Sequence, residues 1–218
     1  MIECLSCGRR QEPQLICADC GTPLSAAISL DCFAALGLPR KLSIDLAALE
    51  RIYHELSRKI HPDRFASRDV AIRDASLRAT ALLTRSYRTL RDPTARGLYW
   101  LELNGEKLAE NNKRVPPDLA ELVFEVQEQL ADMQDAPANS ELAAGVSKRR
   151  GELQATMDET VAELERNFIE CDQSAPGQKH QQDHKMLTTE LKVILSKIAY
   201  LRTLIRDVDR ALENSKAA

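Results

Sequence analysis

The sequence predicts an all-α fold beyond residue 30, preceded by a small cysteine-rich module. Apolar residues recur at spacings of three and four along most of the chain, which is the period of an amphipathic helix. Aromatic residues make up only 4% of the 218 residues, and only 8 are glycine. That composition is poor in the strand and turn residues of a sandwich or barrel. Four of the six cysteines fall within the first 25 residues.

The cysteine-rich module predicts a metal site. Its two CxxC pairs are each followed by glycine, and their members are Cys4, Cys7, Cys17 and Cys20. Two CxxC turns can supply the closed set of four thiolates that Zn²⁺ prefers, so we expect a structural, zinc-ribbon-like module over residues 1–25. Fe²⁺ bound in the manner of rubredoxin, or two redox dithiols, are the alternatives. Cys32 and Cys171 stand alone in predicted helices and are expected to be buried.

Residues 45–90 predict a helical hairpin with a rigid turn. Apolar residues step by three and four through residues 45–60, and again through residues 79–90. His61-Pro62-Asp63 follows the first run, and Pro62 disfavours helical backbone at His61. We therefore expect these three residues at the exposed tip of the hairpin. Residues 45–60 hold three cations and three acids, so this helix is neutral overall.

Beyond Pro116-Pro117 the pattern predicts three long amphipathic helices, separated by polar loops at 135–140 and 172–182. The last helix carries an unbroken apolar stripe from Leu187 to Leu212, which is typical of a helical bundle. Phe124 does not belong to the apolar stripe of the first of these helices. Its helical neighbours include Glu121, Gln127 and Glu128, so it is a candidate partner contact. Packing against another bundle helix is the alternative.

Charge and composition narrow the function class. The net charge is −3, and the cysteine module has only Arg9 and Arg10 as nearby cations, so we expect no nucleic-acid or membrane partner. The N-terminus lacks the pattern of a signal or transit peptide, which predicts a cytoplasmic protein. No phosphate-binding glycine loop, nucleophile elbow or open metal site is evident, so we expect no enzymatic activity.

The order of these motifs resembles the HscB family of J-domain co-chaperones. Residues 31–38 (DCFAALGL) resemble the opening helix of a J-domain, and residues 53–65 (YHELSRKIHPDRF) resemble its second helix and signature loop. Residues 86–93 (SYRTLRDP) resemble the end of its third helix, and the cysteine prefix is similar to that of zinc-bearing HscB forms. The resemblance implies a J-domain at 28–104, a linker at 105–116 and a client-binding three-helix bundle at 117–214.

The resemblance also implies two partners. The His-Pro-Asp loop would contact an HscA- or DnaK-class chaperone and trigger ATP hydrolysis, with a chaperone-binding set of His61, Pro62, Asp63, Arg51, Arg58, Lys59 and Arg64. An apolar patch on the bundle would bind an IscU-type iron–sulfur scaffold protein, with a scaffold-binding set of Leu119, Val123, Phe124 and Tyr200. A general or differently targeted J-protein, and a zinc-ribbon helical adaptor without J activity, are the alternative functions.

Overall fold

Helices dominate the computed structural model of the chain, which confirms the all-α class predicted from the sequence. The structure describes residues 1–24, 30–108, 115–136, 139–173 and 181–217, with the backbone alone at 181–184 and 217. The chain divides into two units, Met1–Tyr99 and Trp100–Ala218. Within the described residues, no helix has the length and apolar character needed to cross a bilayer.

The first unit begins with the cysteine module. Two strands of two residues, β1 (Ile2–Glu3) and β2 (Arg10–Gln11), pair in antiparallel fashion. The buried apolar cluster of the module consists of Cys4, Cys17 and Leu24, with Ile2 packed against it. So small a cluster stabilises the module little by burial alone.

Three helices follow in the same unit: α1 (Cys32–Ala35), α2 (Leu46–Ile60) and α3 (Val70–Arg91). The Asp45 carboxylate caps α2 by accepting hydrogen bonds from the N–H groups of Ala47 (2.9 Å) and Ala48 (3.1 Å). The helix ends at Ile60, because His61 precedes a proline and takes an extended backbone with φ −55° and ψ 132°. A 3₁₀ turn, Pro62–Phe65, then leads towards α3.

The helices α2 and α3 form an antiparallel hairpin. Tyr53 of α2 stacks on Tyr87 of α3 with ring centroids 4.2 Å apart, while Ile60 meets Ser76 at the other end. The buried Ser76 hydroxyl donates to the Ile60 carbonyl over 2.7 Å. The last carbonyls of a helix have no partner within it, so this bond ties the end of α2 to α3 immediately before His61.

We predict that Ser76→Ala lowers the free energy of unfolding by about 1–2 kcal/mol, because it removes the donor of a buried carbonyl. Thr80 lies 3.4 Å from the same carbonyl and limits the loss. Ser86→Ala is the matched control: Ser86 is equally buried on α3, and its hydroxyl has no hydrogen-bond partner among the described residues. We expect its effect to stay within about 0.5 kcal/mol in urea denaturation. Equal losses for the two variants would contradict this role of Ser76.

A fourth helix, α4 (Pro93–Leu103), follows α3 directly. The Asp92 carboxylate accepts a hydrogen bond from the Ala95 N–H over 2.6 Å, and Pro93 lies at the start of the helix, where no N–H is needed. Arg96 is only 3% exposed and donates from Nη1 to the Leu90 carbonyl over 2.6 Å. A buried guanidinium therefore satisfies a carbonyl of the last turn of α3.

The second unit contains three long helices: α5 (Ala120–Asp135), α6 (Ser140–Gln173) and α7 (Gln181–Ala217). They confirm the three amphipathic helices predicted from the apolar period. The buried apolar side chains of the three helices form one core together with Leu119, which directly precedes α5. The members of this core are Leu119, Val123, Val126, Met133, Val146, Leu153, Leu201, Leu204 and Val208. The unit is therefore a helical bundle in which α7 packs on both α5 and α6.

Two lysines of α7 hold the segment that leads into α5. Lys192 donates to the Glu106 carboxylate over 2.6 Å and lowers the pKa of that group, and Lys197 donates to Asp118. Glu106 lies at the start of the predicted linker 105–116 and Asp118 lies two residues beyond its end, while residues 109–114 are outside the described residues. Both ends of this segment are therefore attached to the same helix.

Candidate functional site

The four predicted metal ligands lie together. Their sulfur atoms are all within 4.8 Å of one another, with Cys4 Sγ 3.6 Å from Cys20 Sγ and Cys7 Sγ 3.7 Å from Cys17 Sγ. In each CxxC turn the glycine that follows adopts a positive φ, +72° at Gly8 and +69° at Gly21, and donates its N–H to the carbonyl of the first cysteine. This left-handed backbone is open to glycine at little cost, which explains the CxxCG pattern.

The electrostatics of the four sulfurs favour a bound cation. The Thr22 hydroxyl and backbone lower the pKa of Cys20 to about 6 against the effect of burial. The Arg9 N–H lowers the pKa of Cys7, but desolvation and the neighbouring sulfurs outweigh it and raise that pKa to about 12. Four thiolates this close repel one another unless a cation neutralises them. The cluster can hold a metal ion.

The His-Pro-Asp turn is exposed at the tip of the α2–α3 hairpin, as predicted. The His61 Nδ1 atom accepts a hydrogen bond from the Asp63 N–H over 3.3 Å and so caps the 3₁₀ turn. The Asp63 side chain is 90% exposed, with its Oδ2 atom 3.4 Å from His61 Nδ1. A fixed turn that presents a solvated carboxylate at its tip is suited to recognition by a cation of another protein.

The predicted cations around this turn are all exposed, but they differ in their partners. Lys59 pairs with Glu55 over 2.6 Å, and the Arg64 guanidinium donates to the Arg58 carbonyl over 3.4 Å. Arg51 lies more than two turns further back on α2. Lys59 is therefore already paired, whereas Arg64 contacts the backbone of the last turn of α2 at Arg58.

A hydrogen bond between the cysteine module and the segment that follows the His-Pro-Asp turn was not predicted. Arg68, between the His-Pro-Asp turn and α3, donates from Nη2 to the Ser6 hydroxyl over 2.9 Å. Ser6 lies inside the first CxxC turn, between Cys4 and Cys7. The first CxxC turn therefore contacts the segment that follows the His-Pro-Asp turn.

The predicted scaffold patch is only partly a surface. Phe124 is 69% exposed on α5, as expected from its polar neighbours. Leu119 and Val123 are each only 3% exposed and belong to the bundle core, and Tyr200 is half-buried against that core. The scaffold-binding role of Leu119 and Val123 therefore stays a prediction, and their burial in the core is explained by the packing of α5 on two other helices.

The surroundings of Phe124 are acidic. Residues 118–135 contain six carboxylates and no lysine or arginine. Glu121 and Glu128 lie one turn to either side of Phe124 and are exposed. Glu125 is partly engaged by Arg149 of α6 at 2.9 Å. This face of α5 therefore combines one exposed aromatic ring with negative charge.

Comparison with known proteins places these features in context. A scan against protein-family models finds no match. The co-chaperone protein HscB homolog of Chromobacterium violaceum is 33% identical over 136 residues, which cover 62% of this chain and 76% of that protein. The iron–sulfur cluster co-chaperone protein HscB of Mus musculus is 28% identical over 155 residues, covering 69% and 66%. The crystal structure of human co-chaperone protein HscB matches with a TM-score of 0.70 at 26% identity, covering 96% of this chain and 98% of that one.

Proposed function

The chain belongs to the HscB family of co-chaperones, and from that premise we propose that it stimulates the ATPase of an HscA- or DnaK-class chaperone and delivers an IscU-type iron–sulfur scaffold to it. The observation that carries the proposal is the exposed, capped His-Pro-Asp turn at the tip of the hairpin. In this mechanism the bundle holds the scaffold while the turn promotes ATP hydrolysis. Hydrolysis then tightens the grip of the chaperone on the scaffold and favours cluster transfer.

Charge and rigidity support the chaperone half of the proposal. The Asp63 carboxylate can accept a charge-assisted hydrogen bond from an arginine of the chaperone, a contact that contributes about 1.5–3 kcal/mol. The cap from His61 and the tie between Ser76 and Ile60 hold the turn in one conformation, so little entropy is lost on binding. Arg58 and Arg64 would steer the turn towards an acidic surface.

The face of α5 supports the scaffold half of the proposal. An exposed phenyl ring is suited to a shallow apolar pocket, and the carboxylates around it to a basic rim. The partner surface that fits Phe124 is therefore apolar at its centre and positively charged at its edge. We propose that the scaffold protein supplies this surface.

The metal of the cysteine cluster is proposed to be Zn²⁺ in a structural role. Tetrahedral zinc with Zn–S bonds of about 2.3 Å requires sulfur–sulfur separations of ~3.8 Å. The separations of 3.6 and 3.7 Å in the cluster are close to that value. When bound, the ion would neutralise the thiolates of Cys4, Cys7, Cys17 and Cys20 and join the two CxxC turns. Four protein ligands leave no open position for substrate, which is typical of structural sites.

Steady-state ATPase measurements test the proposed function. The cognate DnaK-class chaperone is assayed with the full chain, with the IscU-type scaffold, and with both. We expect stimulation that is greater with both than the sum of the separate effects. Stimulation indifferent to the scaffold would indicate a general J-protein, and no stimulation by folded, metal-loaded protein would overturn the proposal.

We predict that Phe124→Ala weakens scaffold binding about tenfold or more, because it removes an exposed aromatic anchor. Its free energy of unfolding should change by less than about 0.5 kcal/mol. The matched control is Ile169→Ala, which removes an exposed apolar side chain from α6, outside the predicted scaffold-binding set, and should leave the scaffold affinity within about twofold of the wild type. Calorimetric titration with the scaffold and urea denaturation measure the two effects. Full scaffold affinity in Phe124→Ala would contradict the assignment of the patch.

A further inference from the structure

The positive charge of the α2–α3 hairpin is concentrated on α3. This helix contains five arginines and one aspartate, whereas α2 contains three cations and two acids. Arg78 is paired with Asp74 over 2.8 Å. The remaining charge in the C-terminal half of α3 comes from three arginines spaced three residues apart: Arg85, Arg88 and Arg91.

This row is not neutralised by the part of the chain that the structure describes. Arg85 and Arg88 form no ion pair with a described residue, and Arg91 lies over the Tyr87 ring at 5.7 Å. The helix dipole favours cations in the last turn, which holds Arg88 and Arg91, but that effect fades before Arg85. Like charges one turn apart repel one another. The row is therefore better matched by an acidic partner than by its own surroundings.

A surface groove runs beside the row. One part is lined by Pro62, Leu77 and Ala81, and the other by Tyr53 and Tyr87. Both parts are lined by Thr84 and Arg88, so they are continuous. Apolar and small side chains therefore form the floor, and arginines form an edge.

The two ends of the groove differ in chemistry. The carboxylate among its described lining residues is Asp92, at the end beside Pro93, where it is already engaged as the cap of α4. At the other end lies Pro62, the middle residue of the His-Pro-Asp turn. A chain lying in the groove would therefore approach that turn directly.

We infer that this arginine groove, defined by Pro62, Leu77, Thr84, Arg85, Arg88 and Tyr87, binds an extended acidic segment of the ATPase chaperone. The inference rests on the proposed function and adds a second contact surface to the His-Pro-Asp turn. A guanidinium can bind a carboxylate with two parallel hydrogen bonds, which suits an edge built of arginines. The floor accommodates the small or apolar side chains between the acidic ones. Continuity with Pro62 favours the protein that the turn itself engages.

The test is the affinity of the full chain for the ATP-bound DnaK-class chaperone, measured by biolayer interferometry at low and at physiological salt. The groove variant combines Arg85→Glu with Arg88→Glu. The matched control combines Arg202→Glu with Arg206→Glu, which makes the same change of charge at exposed positions of α7. A further variant, Thr84→Glu, places a negative charge in the groove floor and keeps both arginines. Circular dichroism checks that each variant is folded.

We expect both groove variants to raise the dissociation constant about tenfold or more. The double variant should also lose most of the salt dependence of the affinity. The α7 control should stay within about twofold of the wild type. Wild-type affinity and salt dependence in folded groove variants would overturn the inference and leave the proposed function standing. If the wild type itself does not bind the chaperone, the proposed function fails, and the groove assignment fails with it.

Discussion

Changing His61 to glutamine is expected to abolish stimulation of the chaperone's ATPase while leaving the fold and the metal module intact. The His61 side chain is about half exposed, and its described contacts lie within the turn, so the substitution leaves the core of the hairpin untouched. Glutamine lacks the ring nitrogen that caps the 3₁₀ turn. The Asp63 carboxylate would then be presented in several conformations, and the geometry needed to trigger hydrolysis would be lost.

Asp63→Asn tests the charge separately from the geometry. It keeps the shape of the turn and removes the negative charge, so a charge-assisted contact worth about 1.5–3 kcal/mol is replaced by a weaker one. We expect the concentration for half-maximal stimulation to rise by about tenfold or more.

His54→Gln is the matched control for both variants. His54 is an exposed histidine of α2 whose Nε2 atom lies 3.8 Å from Glu50, away from the turn. Its stimulation should equal that of the wild type in the same steady-state assay. Full stimulation by His61→Gln, or an equal loss in His54→Gln, would show that the His-Pro-Asp turn is not the trigger.

Changing Cys17 to serine is expected to remove the bound metal and unfold residues 1–24. The buried cluster of this module consists of Cys4, Cys17 and Leu24, which is too little to hold the segment without a metal. The free energy of zinc binding in small metal-dependent modules is about 10–16 kcal/mol, and it is at the same time the free energy of folding. We expect about one tenth of the wild-type metal content or less.

Elemental analysis measures the metal content, and amide hydrogen exchange measures the protection of residues 1–24. Cys171→Ser is the matched control, because Cys171 is also a buried cysteine but lies on α6, far in sequence from the cluster. It should keep one equivalent of zinc and a fully protected module. Wild-type zinc content and protection in Cys17→Ser would exclude the cluster as a structural metal site. Finding iron in the wild-type protein would uphold the metal site but show that its metal is iron rather than zinc.

The features that the sequence predicted well are those set by near neighbours. The apolar period placed a helix at residues 45–60, and α2 spans Leu46–Ile60. The CxxC spacing similarly predicted that the two cysteines of each turn lie close together, because each turn is closed by a hydrogen bond between its first cysteine and the glycine four residues later. The burial of Cys32 and Cys171 was predicted correctly, because a lone cysteine in a helix behaves as a small apolar residue.

The features that were missed depend on residues far apart in sequence. Ser76 is 16 residues from its acceptor Ile60, and Arg68 is 62 residues from Ser6, so neither contact has a local signal. The depth at which Leu119 and Val123 are buried was not predicted, because the apolar period alone does not say how many helices α5 contacts. The row of arginines on α3 was visible in the sequence, but the absence of ion pairs from Arg85 and Arg88 to the described residues emerges only from the packed hairpin.

The ion pairs of Glu106 and Asp118 with the same helix limit what the length of the segment between them can affect. Lys192 and Lys197, the lysines that hold its two ends, are five residues apart on α7, a rise of about 7.5 Å. Because both ends are held on α7, the number of residues between Glu106 and Asp118 does not determine how far Phe124 lies from Glu106. An insertion in this segment would cost loop-closure entropy alone, which destabilises the fold by about 0.6 kcal/mol for each doubling of the loop length. Evolution can therefore lengthen or shorten this stretch without moving Phe124 on its bundle.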